Sequence, residues 1–384
     1  MIFEELGKHN HAVIVNDWLP PDVMGGAEKS MIVFSEKLKK FVSRVEFVSI
    51  LNYGVQKSDP SYHLVPTLRI RSRSRNSIPF KFIDFLVSQI DLLTPILVAV
   101  KIRRMKPDVV ILHNINRFGL IFPFLIKVLL PKEVYLVRYF HDLSDICWFR
   151  ERYFKGEICQ QTCAHCKPKE FISSLWSRYY GSTIHVSRFV FNQLTNSGMI
   201  YRNSYLIYPI EFQKGNKVKK SYNAQTRRVA FLGSIRRSKG IEDLMNASAM
   251  CDPKWDVVAI GTVSKRYMER LKRLALLLEI NFEIIEFSNR PYDLLEGRAS
   301  LIAVPSKWPE PFGRIPFESV SNGFPVVLSN SGGLAEVNQF FSTPQPTFYS
   351  GNIEDLHETL QSLNQDELSI LHETEVRLAP IVKL

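Results

Sequence analysis

Glu310 and Glu318 are the residues around which a chemistry can be built. They are two carboxylates with seven residues between them, in a stretch that also holds Phe312, Gly313, Arg314 and Pro316. The apolar run 301–304 reads as a short buried strand and residues 308–313 as a loop; Pro316 suits the first turn of a helix that Asn322 and Gly323 stop. Pro325 opens a second strand over 326–328, which Gly332 and Gly333 turn toward another helix. Two strand-to-helix turns in tandem offer free backbone N–H groups and positive dipole ends to an anion such as phosphate. A carboxylate beside phosphate is repelled by it and serves hydroxyls instead, so the ligand implied carries both phosphate and sugar-like hydroxyls. The plainer alternative makes Glu310 a solvated loop charge and Glu318 a helix residue answering the dipole. The clustered glycines, which keep a path open to the backbone, argue against it.

Cations to match the phosphate stand upstream. The apolar strand 228–232 runs into Gly233, and the loop to Gly240 contains Arg236, Arg237 and Lys239 before a helix over 241–250. A similar unit opens the chain: a strand over 11–15, a loop with Gly25 and Gly26, and a helix over about 27–40. Further strands over 109–112 and 133–138 deliver His113, Asn114 and His141 to strand ends, where ligands of open α/β sheets collect. A lone histidine after a strand is ordinarily polar surface, and a Gly-Gly pair before a helix an ordinary turn.

Taken together these motifs resemble the retaining nucleotide-sugar glycosyltransferases of family 4. The resemblance rests on the Glu310 and Glu318 spacing, the 233–240 loop, Gly25-Gly26 before Ala27-Glu28, and His141 in Phe140-His141-Asp142. It implies the GT-B fold, two Rossmann-like domains facing a central cleft. It also implies transfer of a hexosyl group from a nucleoside diphosphate sugar to a hydroxyl of a glycan acceptor. By the same resemblance Glu310 binds hydroxyls of the donor hexose, Glu318 the ribose, and His141 approaches the donor sugar from the first domain. Gly25 and Gly26 lie close to the donor phosphate, and Phe312, Gly313 and Arg314 complete the donor stretch. The family's diphosphate loop has an arginine directly after its first glycine. Ser234 stands there, so that role passes to Arg236 or Arg237, while Lys239 before Gly240 matches. No Asp-x-Asp element occurs in the chain. The diphosphate is then stabilised by these cations without a metal, and catalysis needs no cofactor.

Four of the five cysteines, Cys147, Cys159, Cys163 and Cys166, fall within 20 residues. The Cys163-Ala-His-Cys166 spacing suits half a zinc knuckle that Cys147 and Cys159 complete, with His165 as a replacement ligand. Four thiolates leave no open position, so the zinc would be a structural clip on an insertion over about 143–170. Free thiols are the alternative.

At 384 residues the chain exceeds one ordinary core. The expected division is 1–210 for an acceptor-binding domain and 211–384 for a nucleotide-sugar domain, with the polar segment 211–227 as linker. A net charge of +11 and a pI near 9.3 call for an acidic partner. The first seven residues carry Glu4 and Glu5 and no apolar core, and no segment approaches the ~20 apolar residues of a span. The expectation is a cytoplasmic protein. Arg69, Arg71, Arg73 and Arg75 precede an aromatic and basic stretch over 78–104, a combination used in interfacial contacts with anionic membranes. This reading places the chain peripherally on the inner face of the plasma membrane, the alternative being a helix packed on the sheet of the first domain; the resemblance then implies a lipid-linked glycan as acceptor, as in surface polysaccharide assembly. A GT-B epimerase or phosphorylase would also cradle phosphate and sugar. A basic, zinc-containing nucleic-acid-binding protein is the alternative of a different class, and the sugar-nucleotide reading expects no nucleic acid.

Overall fold

The computed structural model describes residues 2–19, 26–50, 59–66, 91–154, 156–210, 227–377 and 379–384. Gly25, the arginines 69–75, residues 78–90 of the stretch 78–104 and nearly all of the segment 211–227 lie outside them. The chain divides into two compact units, Met1–Arg150 with Gln161–Glu211 and Pro380–Leu384, and Glu151–Gln160 with Phe212–Ala379. The first unit therefore lends ten residues of the cysteine-rich stretch to the second and takes back the strand Val382–Lys383.

Short, wholly apolar runs such as Val109–Leu112 and Leu301–Val304 are buried along their whole length, as strands covered on both faces must be. In unit 1 eight strands run in the order Tyr62–Val65, Arg44–Ile50, His11–Val15, Val109–Leu112, Tyr135–Phe140, Ser182–His185, Ser204–Leu206 and Val382–Lys383. Only the last is antiparallel to its neighbour. In unit 2 six parallel strands run Phe282–Ile285, Asp256–Ile260, Arg228–Leu232, Leu301–Val304, Val326–Ser329 and Thr347–Phe348. Each sheet starts in its middle, builds to one edge and then crosses back to the other side of its first strand. Such a reversal sends the loops on either side of the switch point in opposite directions and leaves a crevice between them.

The elements close where local chemistry says they should. The helix Lys265–Leu278 starts at Ser264, whose hydroxyl accepts from the Tyr267 N–H, and Gln365–His372 starts with a capping box of Asn364 and Glu367. Trp255 is 1% exposed in the core of unit 2, and its indole N–H reaches the Leu360 carbonyl at 3.3 Å. One expected helix is absent: after Val326–Ser329 the chain forms 3₁₀ turns over Gly332–Phe340. The Gly333 N–H is drawn to the Glu310 carbonyl at 2.6 Å, away from the preceding turn.

Unit 1 has an ionic keystone that motif reading passed over. Arg138, 2% exposed on the strand Tyr135–Phe140, donates through Nη1 to the carbonyls of Leu112, His113 and Tyr139 and through Nη2 to Asp145 Oδ2 at 2.6 Å. Its charge thus holds the ends of two neighbouring strands and the loop that follows. Removing the carboxylate strands a buried cation, so Asp145→Ala is expected to cost about 3 kcal/mol. Urea unfolding followed by circular dichroism checks this, and an unchanged midpoint would show that the three carbonyls suffice.

Candidate functional site

The switch point of unit 2 lies between Arg228–Leu232 and Leu301–Val304, paired in parallel from Val229 with Leu301 to Phe231 with Ala303. The loops leaving their carboxyl ends carry Lys239 and Glu310. Lys239 Nζ lies 2.5 Å from Glu310 Oε1, and the Ser306 hydroxyl donates to the same oxygen at 2.6 Å. The ammonium also stands 4.7 Å from the centre of the Trp308 ring. Glu310 is 8% exposed, so its charge is answered by a cation and a hydroxyl in a site largely shielded from water.

Backbone bonds hold both loops to this geometry. The N–H groups of Lys307 and Trp308 donate to the Ser238 carbonyl at 2.9 and 3.3 Å, joining one loop to the other. From the third loop, the Ser331 hydroxyl donates to the Trp308 carbonyl at 3.0 Å. Gly240 has φ +77°, and a Cβ there would overlap the Pro305 carbonyl, so glycine lets the Lys239 turn lie against the Glu310 loop. A Cβ on Gly333 would overlap the Pro311 carbonyl directly beneath the Glu310 loop.

The other donor-stretch residues divide. Arg314 Nη2 pairs with Glu318 Oε1 at 3.0 Å, one turn along the helix Ile315–Ser321, with the Glu318 side chain 36% exposed. Phe312 is buried and stacks on Phe317 at 5.1 Å, so its side chain serves the core. Gly313, with φ +86°, packs beside Leu334. Arg236 pairs with Glu151 at 2.7 Å, within the segment that unit 1 lends. Arg237 faces Glu242 at 3.4 Å, a carboxylate it shares with Arg270 at 3.0 Å.

In unit 1, Gly26 is exposed at the start of the helix Gly26–Leu38. His141 stacks on Tyr139 with ring centres 4.3 Å apart, and its Nε2 shares a hydrogen bond of 2.8 Å with Nδ1 of buried His113. Burial, with Arg138 adding to it, pulls the His141 pKa down to about 3, so the ring is neutral across the physiological range. His113 is likewise pushed well below the ordinary range, by burial first and then by His141 and Arg138.

All five cysteines are free thiols, with Cys147 and Cys166 buried. Burial raises the Cys166 thiol to about 12, with Cys147 and Cys163 adding to the shift. Cys163 moves the other way: burial opposes ionisation, but hydrogen bonds from the Cys166 thiol and from the His165 and Cys166 N–H groups outweigh it. Cys159 falls in the segment lent to unit 2. Among the described residues no three His, Cys, Asp or Glu are arranged to hold a metal ion.

Ser306 and Trp308 were missed by motif reading, although each lies within four residues of Glu310. Ser306 at the end of a buried strand was the available signal, since its hydroxyl needs a partner there.

Comparison with known proteins agrees with this architecture. Residues 213–380 match the family model described as glycosyl transferases group 1. A Klebsiella pneumoniae relative, described as an uncharacterized 42.6 kDa protein in the cps region, is 24% identical over 345 residues, covering 85% of this chain and 87% of the relative. The crystal structure of Anabaena HepE in complex with UDP and glucose superposes with a TM-score of 0.67 at 16% identity, covering 95% of this chain and 93% of that one. The apo form of the lipopolysaccharide outer core galactosyltransferase WaaB does so with a TM-score of 0.63 at 14% identity, covering 94% and 93%. The family match therefore covers residues 213–380, within the second unit, and the chain has the GT-B fold.

Proposed function

We propose that the chain transfers a hexosyl group from a nucleoside diphosphate sugar to a hydroxyl of a glycan acceptor, with retention at the anomeric carbon. The observation that carries this reading is the Lys239–Glu310 pair at the switch point of a group 1 domain. An ammonium has three donors, and Glu310 occupies one of them, which leaves Lys239 able to hold the carboxylate and a leaving diphosphate together. Glu310 then faces the hydroxyls of the reacting sugar. Glu318 takes the ribose, releasing Arg314 from their ion pair or sharing it. Arg236 or Arg237 adds a second cation at the diphosphate, and the step needs no metal. Neutral His141 serves as a hydrogen-bonding group and not as a charge.

The acceptor in this reading is a lipid-linked glycan at an anionic membrane. The helix Leu93–Met105 leaves Leu93, Ile96 and Val100 exposed at helical spacing and ends in exposed Arg103 and Arg104. No described helix is long and apolar enough to cross a membrane. The gene-region description of the Klebsiella relative and the lipopolysaccharide assignment of WaaB support a surface polysaccharide as the product. Zinc is not carried into this reading: among the described residues no three ligand side chains are arranged to hold a metal ion, and Cys159 groups apart from Cys147, Cys163 and Cys166.

Glu310→Ala is expected to lower kcat by about 100-fold with little change in donor affinity, because contacts to the reacting ring strengthen in the transition state. Glu318→Ala is expected to weaken donor binding about tenfold, the loss of one charged hydrogen bond. Steady-state kinetics with a panel of UDP-, GDP- and ADP-sugars checks both, and wild-type values for both variants would remove these residues from the site.

Sedimentation with anionic vesicles should succeed at low salt and fail at high salt, because each surface Lys or Arg contributes roughly 1 kcal/mol and is screened. Changing Arg69, Arg71, Arg73 and Arg75 together to Ser should abolish it. Equal binding to neutral and anionic vesicles, or to neither, would argue for a soluble acceptor.

Elemental analysis of freshly purified protein tests the cysteine cluster directly: one zinc per chain would show that the four thiols come together around a metal, and a mild chelator should leave activity intact. Absence of zinc would leave the cysteines as free thiols.

A further inference from the structure

Unit 1 contains a second polar site, none of whose lining residues the donor chemistry uses. It is a cavity of about 30 Å³ between the loop after Val109–Leu112, the buried end of the strand Tyr135–Phe140 and the helix Lys167–Ser177. Lys169, Ser173 and Trp176 line it from successive turns of one helix face, opposite Arg138 and Asp145. The Trp176 ring is held by stacking on Phe124, with centres 4.5 Å apart and planes 22° from parallel.

Two donors of the lining residues are left unanswered although Asn116, Ser144, Ser173 and Tyr180 also line the cavity. Arg138 Nε and Trp176 Nε1 are buried with no hydrogen-bond partner among the described residues. Buried donors without acceptors are rare, and each costs about 1–3 kcal/mol, so a pair of them on one cavity calls for a ligand that accepts. Lys169 adds a third donor group; its ammonium stands 4.3 Å from the centre of the Trp148 ring. Burial pulls Lys169 down to about 8, although Asp145 and Asp142 push it up, with Arg150 adding to the fall and Cys147 opposing it. Among the charged lining residues, Arg138 and Lys169 face only Asp145, and Asp145 is already bonded to Arg138 at 2.6 Å. Asp142 lies near enough to act on both cations without lining the cavity, so the lining itself holds two cations to one carboxylate. The space suits a few atoms, not a sugar ring, and a water placed there would have to find acceptors of its own.

We propose that this cavity is an anion subsite that takes a carboxylate or phosphate group carried by the glycan acceptor, with Lys169, Arg138 Nε and Trp176 Nε1 as its donors. The assignment to the acceptor rests on the glycosyltransferase reading above; the anion site itself rests on the cavity. The helix that supplies Lys169, Ser173 and Trp176 follows directly from the cysteine-rich stretch, with Cys166 immediately before its first residue.

The test is calorimetric titration of the full chain, with saturating UDP present to fill the donor site. Methyl glucuronide, inorganic phosphate and neutral methyl glucoside are the probes. The expected result is that methyl glucuronide or phosphate binds at least about tenfold more tightly than the glucoside, the worth of one charged hydrogen bond. Lys169→Met and Trp176→Phe, the latter keeping the ring and removing only the N–H, should each weaken that binding about tenfold. Preference for the glucuronide identifies a carboxylate, and preference for phosphate identifies a phosphate; either supports the subsite. Charged and neutral probes binding alike, none of them binding, or both variants binding as wild type would overturn it and leave a water-filled cavity. The UDP titration that precedes these measurements separates the two readings, because failure to bind UDP counts against the nucleotide-sugar function and not against the anion subsite.

Discussion

The ion pair between Lys239 and Glu310 is the constraint around which unit 2 is arranged. A carboxylate this shielded from water is costly unless a cation meets it, and the partner comes from a loop 71 positions away in sequence. The two can meet only because the sheet reverses direction between Arg228–Leu232 and Leu301–Val304. Gly240 lets the Lys239 turn press against Pro305, and the third loop supports Glu310 from below through Gly333 and Ser331. Strand order, glycine placement and loop hydrogen bonds thus converge on one charge pair.

Unit 1 solves a comparable problem with different groups. Its own reversal lies between His11–Val15 and Val109–Leu112, and the strand beside the latter carries Arg138, whose Nη1 and Nη2 serve three carbonyls and one carboxylate. The same charge, with burial, keeps His141 and His113 neutral. Unit 2 therefore carries charged groups at its switch point, whereas the strand ends of unit 1 carry uncharged imidazoles.

Much of this was legible in the sequence wherever the signal was local. The helix Lys265–Leu278 and the strands Val109–Leu112, Arg228–Leu232 and Leu301–Val304 have the bounds that apolar periodicity and caps imply. Lys239 and Glu310 were each marked by the glycines and prolines around them, but their contact was not, because it depends on strand order. Arg138 escaped notice for the same reason: within an apolar strand an arginine reads as an outward-facing residue until Asp145 and the neighbouring carbonyls are in place. The 3₁₀ run Gly332–Phe340 was misread as a helix because the competing acceptor, the Glu310 carbonyl, is remote in sequence. The hairpin of Tyr153–Phe154 and Glu157–Ile158 is too short for a strand pattern to register.

The interleaving of the two units has a consequence for how the chain is made. Residues 151–160 emerge from the ribosome before any strand of the sheet they belong with, and Val382–Lys383 emerges only after the whole of unit 2. Unit 1 therefore receives its last strand only after unit 2 has been synthesised, and unit 2 includes a segment made before its own sheet. Unit 1 must wait with the edge of Ser204–Leu206 unpaired, and the lent hairpin must wait for Arg236 to appear as the partner of Glu151. An unpaired parallel-sheet edge is a template for wrong pairing, so the interval between synthesis of the two units is when this chain is most exposed to aggregation.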